Sequence, residues 1–517
     1  MQSVSTQFED RANGQMRPLS WRALMSFPKA FEADVDFFTI GVSTIGGLDI
    51  IKGDGDIIQE WDKYQYDDYT NRIMSIEVTR QEEAVNSVAL AMADIKMRNT
   101  DNYFTPNSGS AIEDFILPYR PAKLYLGFGS ENVPVFTGLT DKMPTIDEKA
   151  KTASFHLIDF MYSLFNRPLD RTIILEGART DEALEELMDA AGILPTQYDF
   201  DIGFNIIDFV FFEKDTKFGD AVRELMEAEM GRFYMDEAGI IRFKNRQNYS
   251  STPVWYFDKS NVLDIKTKTQ DDIINVVEIK SKVRQVQALQ KYWELQSAFL
   301  VPAGSTVQLW ADFEDPVTVV DDPIQIASAT TSSFTASTAE SIEEGEIVGS
   351  NITFTTTQFA KSFLMEIENT NAYDVYINAL ELWATPAKIV KEIYLREQDD
   401  ASVAEYDERV ITIDNNFISN EGDAYSKAHI MLDDWAQYGG ISELVVKGNP
   451  ALQIGDPVGC TITGYAGTYA IAKIVNKFLM SGKGVQFTQV LTLKKREFQS
   501  YFTIGISTIG GTDVIAP

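Results

Sequence analysis

The chain of 517 residues holds two histidines, His156 and His429, and one cysteine, Cys460, so its room for acid–base, nucleophilic and metal chemistry is narrow. A zinc centre of nitrogen and sulfur ligands draws on about four such side chains, and there is no HExxH pair to begin one. A Ser-His-Asp triad would have to recruit one of the two histidines. His156 lies in the alternating segment ASFHLIDF and His429 in the helical segment AYSKAHIMLDDW, neither of them a glycine-rich elbow. Both are expected to be packing or surface residues. Carboxylates are another matter, because 77 acidic residues offer many pairs and a glycosidase needs only two across a cleft. No local motif singles out a pair. GDGD at 53–56 resembles the start of a calcium loop but lacks its continuation and terminal glutamate. DFEDP at 312–316 and DDP at 321–323 could serve calcium in a sandwich, although acidic proline turns are common without metal. No phosphate-cradling GxxxxGK[ST] loop and no GxGxxG in a βαβ context occurs. The expectation is a protein that is not an enzyme, with no catalytic residue, no metal and no cofactor.

Bulk composition points the same way. The 45 basic residues against 77 acidic ones leave a net charge of −32, a surface that repels nucleic acid and anionic lipid. Tight nucleic-acid binding is not expected. Solubility, a salty habitat, or a lumen past which DNA slides would each account for the charge. An apolar content of 44% with 12% aromatics is ample for packed cores. No apolar run reaches the roughly eighteen residues of a bilayer span, so stable membrane insertion is not expected. The opening MQSVSTQFEDRANGQ has neither the basic nor the apolar part of a secretory signal. A lone cysteine excludes an internal disulfide framework and fits assembly in a reducing cytoplasm.

The elements read as mainly β with an α+β insert: two tube-like antiparallel β-barrel domains and an inserted β-sandwich. Residues 1–55 are expected to form an irregular arm, with RPLSWRALMSF as one strand-like stretch. Residues 56–170 form a first barrel, from strands such as NRIMSIEVTRQ, NSVALAMADIKMRN, AKLYLGFGS and ASFHLIDF. Over 171–248 the period changes. Thr180 is a candidate N-cap, Leu184, Leu187, Met188 and Ala191 share a helical face, and Gly192 stops the helix. Phe218, Ala221, Val222, Leu225 and Met226 mark a second helix ended by Gly231, followed by a hairpin turning near Asp236–Gly239. Residues 249–291 supply strands of a second barrel, 292–390 a jelly-roll-like sandwich, and 391–497 the rest of the second barrel, opened by a helix at 424–438.

One peptide occurs twice. FTIGVSTIGGLDIIKG at 38–53 returns as FTIGISTIGGTDVIAP at 502–517. Phe38 and Ile40, like Phe502 and Ile504, alternate with small or polar residues as in a half-buried strand. Gly46-Gly47 and Gly510-Gly511 suit a two-residue hairpin turn. A lone hairpin is marginal in water, so each copy is expected to add to a sheet, in its own subunit or a neighbouring one.

Several stretches together resemble the tail-tip or baseplate hub proteins of tailed bacteriophages, also called minor tail proteins. DIKMRNTDNYFTP, VFTGLTDK and ASFHLIDF carry Asn99, Asp101, Phe104, Phe136, Gly138 and Asp159. MGRFYMDEAGIIRF and DNNFIS follow, and KGNPALQIGDPV carries Asn449, Pro450, Leu452, Gly455 and Asp456. The resemblance covers about 70–500. It implies a structural virion protein at the tail tip, a homotrimer closing the tail tube. Its two barrels per chain would give six similar units, matching a distal tail protein or tail-tube ring. The partners implied are the tape-measure protein and receptor-binding or fibre proteins, with a passage for DNA. Many members continue into fibre, lysozyme-like or peptidase domains, and no such activity is expected here. The alternatives are a glycan-binding adhesin using Trp293, Trp310, Phe313 or Trp383 of the 292–390 sandwich as stacking platforms, and a cell-wall hydrolase with an unidentified carboxylate pair.

Overall fold

The computed structural model describes residues 1–14, 17–27, 64, 66–82, 88–245, 252–266, 273–324, 331–436, 440–482 and 484–495. Both FTIG copies, with Phe38, Ile40, Gly46, Gly47, Phe502, Ile504, Gly510 and Gly511, lie outside these residues, as does GDGD at 53–56.

The fold is mainly β with an α+β layer. Strict alternation builds its first half. In Val88–Arg98 the side chains of Ala91, Ala93, Ile95 and Met97 are buried, while Met92, Asp94, Lys96 and Arg98 face outward. Neighbouring strands run Leu19–Met25, Pro121–Phe128, Glu131–Thr140, Thr152–Ile158, Val88–Arg98 and Ile73–Glu82, each antiparallel to the next. Their inward faces enclose a core of Ile76, Phe104, Leu124, Phe136 and Phe155. In the second half, Gly467–Ser481 pairs with Gly484–Lys495, which pairs with Gly440–Val446, which pairs with Val262–Lys266. Pro457–Cys460 pairs with the start of Gly467–Ser481, and Trp255–Phe257 lies parallel to Pro457–Cys460.

The halves are not separate barrels. Ile73–Glu82 pairs antiparallel with Gly467–Ser481, from Ser75 opposite Leu479 to Gln81 opposite Lys473, so one sheet runs through both. Among the described residues the strand pairings close no ring. Phe478 and Phe487 cross this seam into the first core. The opening residues, expected to be irregular, include a helix over Thr6–Asn13. Ser5 Oγ caps it by accepting from the Phe8 N–H at 3.2 Å, and Phe8 and Ala12 sink into the second-half core.

The α+β layer holds the two expected helices, Thr180–Ala190 and Phe218–Glu229, with different ends. Arg179 is the N-cap residue, and Thr180 already sits in the helix, its hydroxyl donating to Glu229 at 2.9 Å. Met230, not Gly231, takes the left-handed conformation after the second helix, at φ 60°. Glu421–Trp435 is helical too, but it packs in this layer instead of opening the second barrel, because Ala424, Ala428, Met431 and Leu432 bury against the same core as both helices. Val276–Val286 likewise leaves the second barrel and pairs with the far end of Val375–Gln398 and with Val410–Asp414.

The sandwich hangs from this layer. The 24-residue strand Val375–Gln398 pairs over 387–398 with Val276–Val286, and over 375–386 with Gln290–Glu294, Phe299–Val301, Val317–Val320 and Ser333–Ser337. A second sheet, Ser305–Asp312, Ser362–Asn369 and Ile352–Gln358, packs against it over Phe313, Phe334, Phe363, Met365 and Leu382.

Candidate functional site

The seam between the halves is the place where residues distant in sequence converge. On its outer face the registers put Lys477, Glu77, Asp94 and His156 in one row across four strands. Lys477 Nζ lies 3.2 Å from Glu77 Oε1, and His156 Nδ1 lies 2.9 Å from Asp94 Oδ1. A groove of about 570 Å³ follows the row, lined also by Ser75, Lys96, Ser154 and Gln486. Ser154, His156 and Asp94 share this face without forming a triad. Residues two apart on a strand stand about 7 Å apart along it, so Ser154 is beyond hydrogen-bond reach of His156. The row is a ladder of polar pairs on a solvated sheet.

Behind the seam lies a buried polar tie. Arg80, 4% exposed, places Nε 3.3 Å from Glu237 Oε1 and donates to the Met235 carbonyl. Gln453 Nε2 donates to Glu237 Oε2 at 2.5 Å, and Thr137 Oγ1 donates to the Glu237 carbonyl at 2.9 Å. Arg232, from the hairpin that carries Glu237, donates to the Ile454 carbonyl at 3.1 Å. This hairpin, Arg232–Met235 and Ile241–Lys244, is thereby fastened to both halves. A buried charge left alone would be costly, so each has partners.

Most of the motif residues sit in turns at the rims of these strands, while Phe136 and Gly138 lie within the strand Glu131–Thr140. Asn99 Oδ1 accepts from the Phe104 N–H at 2.9 Å, and its Nδ2 donates to Thr105 Oγ1 at 2.9 Å. Phe104 is thereby seated against Tyr69, Tyr103 and Phe155. Asp101 grips Arg72 through two hydrogen bonds of 2.8 and 2.7 Å, which hold its carboxyl down to about 2. Phe136 is core, and a Cβ on Gly138 would stand 2.3 Å from the Ile158 carbonyl oxygen. Asp159 caps the helix Phe160–Phe165 and accepts from the Ala91 N–H at 2.6 Å. Burial pushes its carboxyl up to about 7, against the pull of that bond and of Arg80.

In the second half, Asn449 Oδ1 accepts from the Ala451 N–H at 3.0 Å while Gln489 brackets the Asn449 backbone. Pro450 and Leu452 are buried. Gly455, at φ +77°, makes room for the Arg232 guanidinium, which a side chain would displace. Asp456 accepts from the Gln453 N–H at 2.7 Å and pairs with the Met1 ammonium. Burial raises its carboxyl, opposed by that ammonium. In the first half these residues stand at opposite ends of Val88–Arg98, with Asn99, Asp101 and Phe104 at one end and Gly138 and Asp159 at the other. In the second half they gather in one turn region, where Gly455 and Asp456 also adjoin the buried tie.

Arg80, Glu237, Glu229 and Lys427 are functional-looking groups that sequence reasoning missed. Glu229, wholly buried, accepts from Phe204 N–H at 3.1 Å and Asn205 N–H at 2.8 Å, and Lys427 Nζ reaches Asn205 Oδ1 at 3.3 Å. A charged residue inside an alternating or helical segment gives no signal of burial by itself. Among the described residues no three His, Cys, Asp or Glu side chains converge as a metal site. The acidic turns are used locally: Asp315 binds Arg284 at 2.8 Å and Tyr292 Oη at 3.0 Å, and Asp322 accepts from Thr356 at 2.5 Å. Of the four aromatic candidates, Phe313 is core, Trp293 and Trp383 are half-buried, and Trp310 is 49% exposed.

No protein-family profile matches the chain, and no curated protein matches it. Solved structures do. The 43 kDa tail protein of prophage MuSo2 from Shewanella oneidensis aligns at 12% identity and a TM-score of 0.45, over 83% of this chain and 95% of that one. A tail protein from Neisseria meningitidis aligns at 10% identity and a TM-score of 0.46, over 83% and 94%. A prophage tail protein from Listeria monocytogenes aligns at 10% and 0.41, over 85% and 94%. By name all three are tail proteins, two of them from prophages.

Proposed function

We propose that the chain is a structural subunit of a phage tail tip, a hub that closes the distal end of the tail tube. The observation that carries the reading is the antiparallel pairing of Ser75–Gln81 with Lys473–Leu479, which makes one sheet of two β halves. A continuous open sheet has edges that need cover, and a ring of copies supplies it. Three chains of two halves each present six similar units, the number needed to meet a hexameric tube or distal tail ring. The motif residues support this reading, since Asn99, Asp101, Asp159, Asn449, Gly455 and Asp456 fix strand ends and turns, and Phe136 and Gly138 serve strand packing. The acidic surface suits passage of DNA and tape-measure protein without adhesion. The FTIG copies at 38–53 and 502–517 would add to strand edges of neighbouring ring or receptor-binding proteins. Light scattering of the assembled hub, with imaging of tails, tests the proposal. Threefold symmetry is expected, and a monomeric chain in the virion would overturn it.

A further inference from the structure

The solvent face of the sheet Ser305–Asp312, Ser362–Asn369 and Ile352–Gln358 is unlike the rest of the sandwich. Val307, Leu309 and Ala311 point inward to the core, so Gln308, Trp310 and Asp312 point out. Trp310 is the described tryptophan with more than a third of its surface exposed, and it lies nearly parallel to Phe359, ring centroids 5.5 Å apart at 29°. Phe359 sits at the tip of the neighbouring hairpin, held by its N–H to the Ser362 carbonyl at 2.9 Å. Directly opposite one another in the next row stand Gln308, Glu366 and Thr355, with Gln308 Nε2 donating to Glu366 Oε1 at 2.9 Å.

We propose that this face, with Trp310 as its platform, binds a neutral β-linked oligosaccharide. An exposed indole held by stacking on a neighbouring ring can meet the C–H face of a pyranose whose hydroxyls are equatorial, and those hydroxyls then reach sideways for polar partners. Same-face rows on a strand are about 7 Å apart, so a sugar stacked on Trp310 brings its edge, or the next sugar, over the row of Gln308, Glu366 and Thr355. That row offers amide, carboxylate and hydroxyl groups, a mixture matched to hydroxyls that both donate and accept. Charge selects the class. Asp312, Glu366 and Glu368 outweigh Lys361 around the platform, so uronates and phosphate-bearing polymers are repelled. A protein partner fits poorly, because two rings offer at most about 500 Å² of apolar surface, short of the roughly 800 Å² per side of a stable interface. The inference does not depend on the hub reading.

Titration calorimetry and tryptophan fluorescence on the full chain test it, with cellohexaose, chitohexaose and laminarihexaose as probes and a hyaluronan hexasaccharide as anionic control. At least one neutral probe should bind at up to millimolar concentration. Trp310→Ala should weaken it about tenfold or more, as aromatic anchors do, while Tyr394→Ala, on an exposed strand outside the sandwich, should not. If Trp310→Ala lowers the melting temperature, Gln308→Ala at an exposed position carries the test and should weaken binding severalfold. Failure of all three neutral probes to bind, equal binding by wild type and the variants, or tighter binding of hyaluronan would overturn the proposal. A trimeric tail that binds none of them would leave the hub reading standing alone.

Discussion

Gly138 shows how much one missing side chain can hold. A methyl there would stand 2.3 Å from the Ile158 carbonyl oxygen, across the pairing of Glu131–Thr140 with Thr152–Ile158, and 2.6 Å from the ring of the core residue Phe136, so it must separate two backbones and shift a packed ring. Gly138→Ala is expected to cost about 2 kcal/mol or more, measured by urea unfolding, and a neutral result would mean the two strands can part freely. Buried acids impose a pH dependence at the same scale. Burial, aided by Glu227, pushes the Glu224 carboxyl up to about 7, and burial does the same to Asp159. Each stays protonated in the folded chain where its unfolded counterpart, with a pKa near about 4, has ionised. Folding then takes up protons in that window. The contribution is full below about pH 4 and is lost as pH rises to about 7. Asp101 acts in reverse, since its folded carboxyl is lowered by Arg72 and its contribution is lost as pH falls from about 4 toward 2. Scanning calorimetry should find the melting temperature falling from pH 5 to 8, with a flatter profile for Glu224→Gln. A wild-type profile that rises across this range would contradict the assignment. Asn99 and Gly455 were legible because turn residues announce themselves by type. Arg80 and Lys427 were not, because what buries them lies more than a hundred residues away.

At the scale of elements, the seam depends on the Arg80–Glu237 tie as well as on backbone pairing. Arg80→Leu leaves Glu237 buried opposite an apolar side chain and is expected to cost about 3–5 kcal/mol in denaturant unfolding. Arg80→Leu with Glu237→Gln should recover a large part of that loss, and a double variant no better than the single one would show that packing, not charge, is at stake. Alternation made Val88–Arg98 readable as a strand with a wet face, because every second position there is small or apolar. Helix periodicity found Thr180–Ala190 and Phe218–Glu229 for the same reason. The helix Thr6–Asn13 escaped notice because only Phe8 and Ala12 of it are buried, too few to show a period. Assigning Glu421–Trp435 and Val276–Val286 to the second barrel followed chain order, whereas their apolar faces meet the α+β layer. Periodicity tells which face is buried, not against what.

For the molecule as a whole, the sandwich joins the body where Val276–Val286 and Val375–Gln398 cross into it. The Gln287 N–H donates to the Pro386 carbonyl at 2.9 Å, so the two crossing strands are already at hairpin distance where the sandwich begins. Replacing 288–385 with Asn-Gly should join them by a tight turn, leave the melting transition of the remainder in place and preserve assembly. Loss of folding on calorimetry, or of tails, would show that the sandwich helps to build the body. The manner of attachment also settles how the chain answers a pull. A load drawing the sandwich away tugs Val276–Val286 and residues 387–398 in the same direction at once, because both leave the body at the same end. Neither strand is dragged past the other, so their shared hydrogen bonds are not sheared. The tension passes instead to Val410–Asp414 alongside and to the helix Glu421–Trp435 packed beneath. The sandwich is thus built as a handle: tugging it strains the body before it strips the stem.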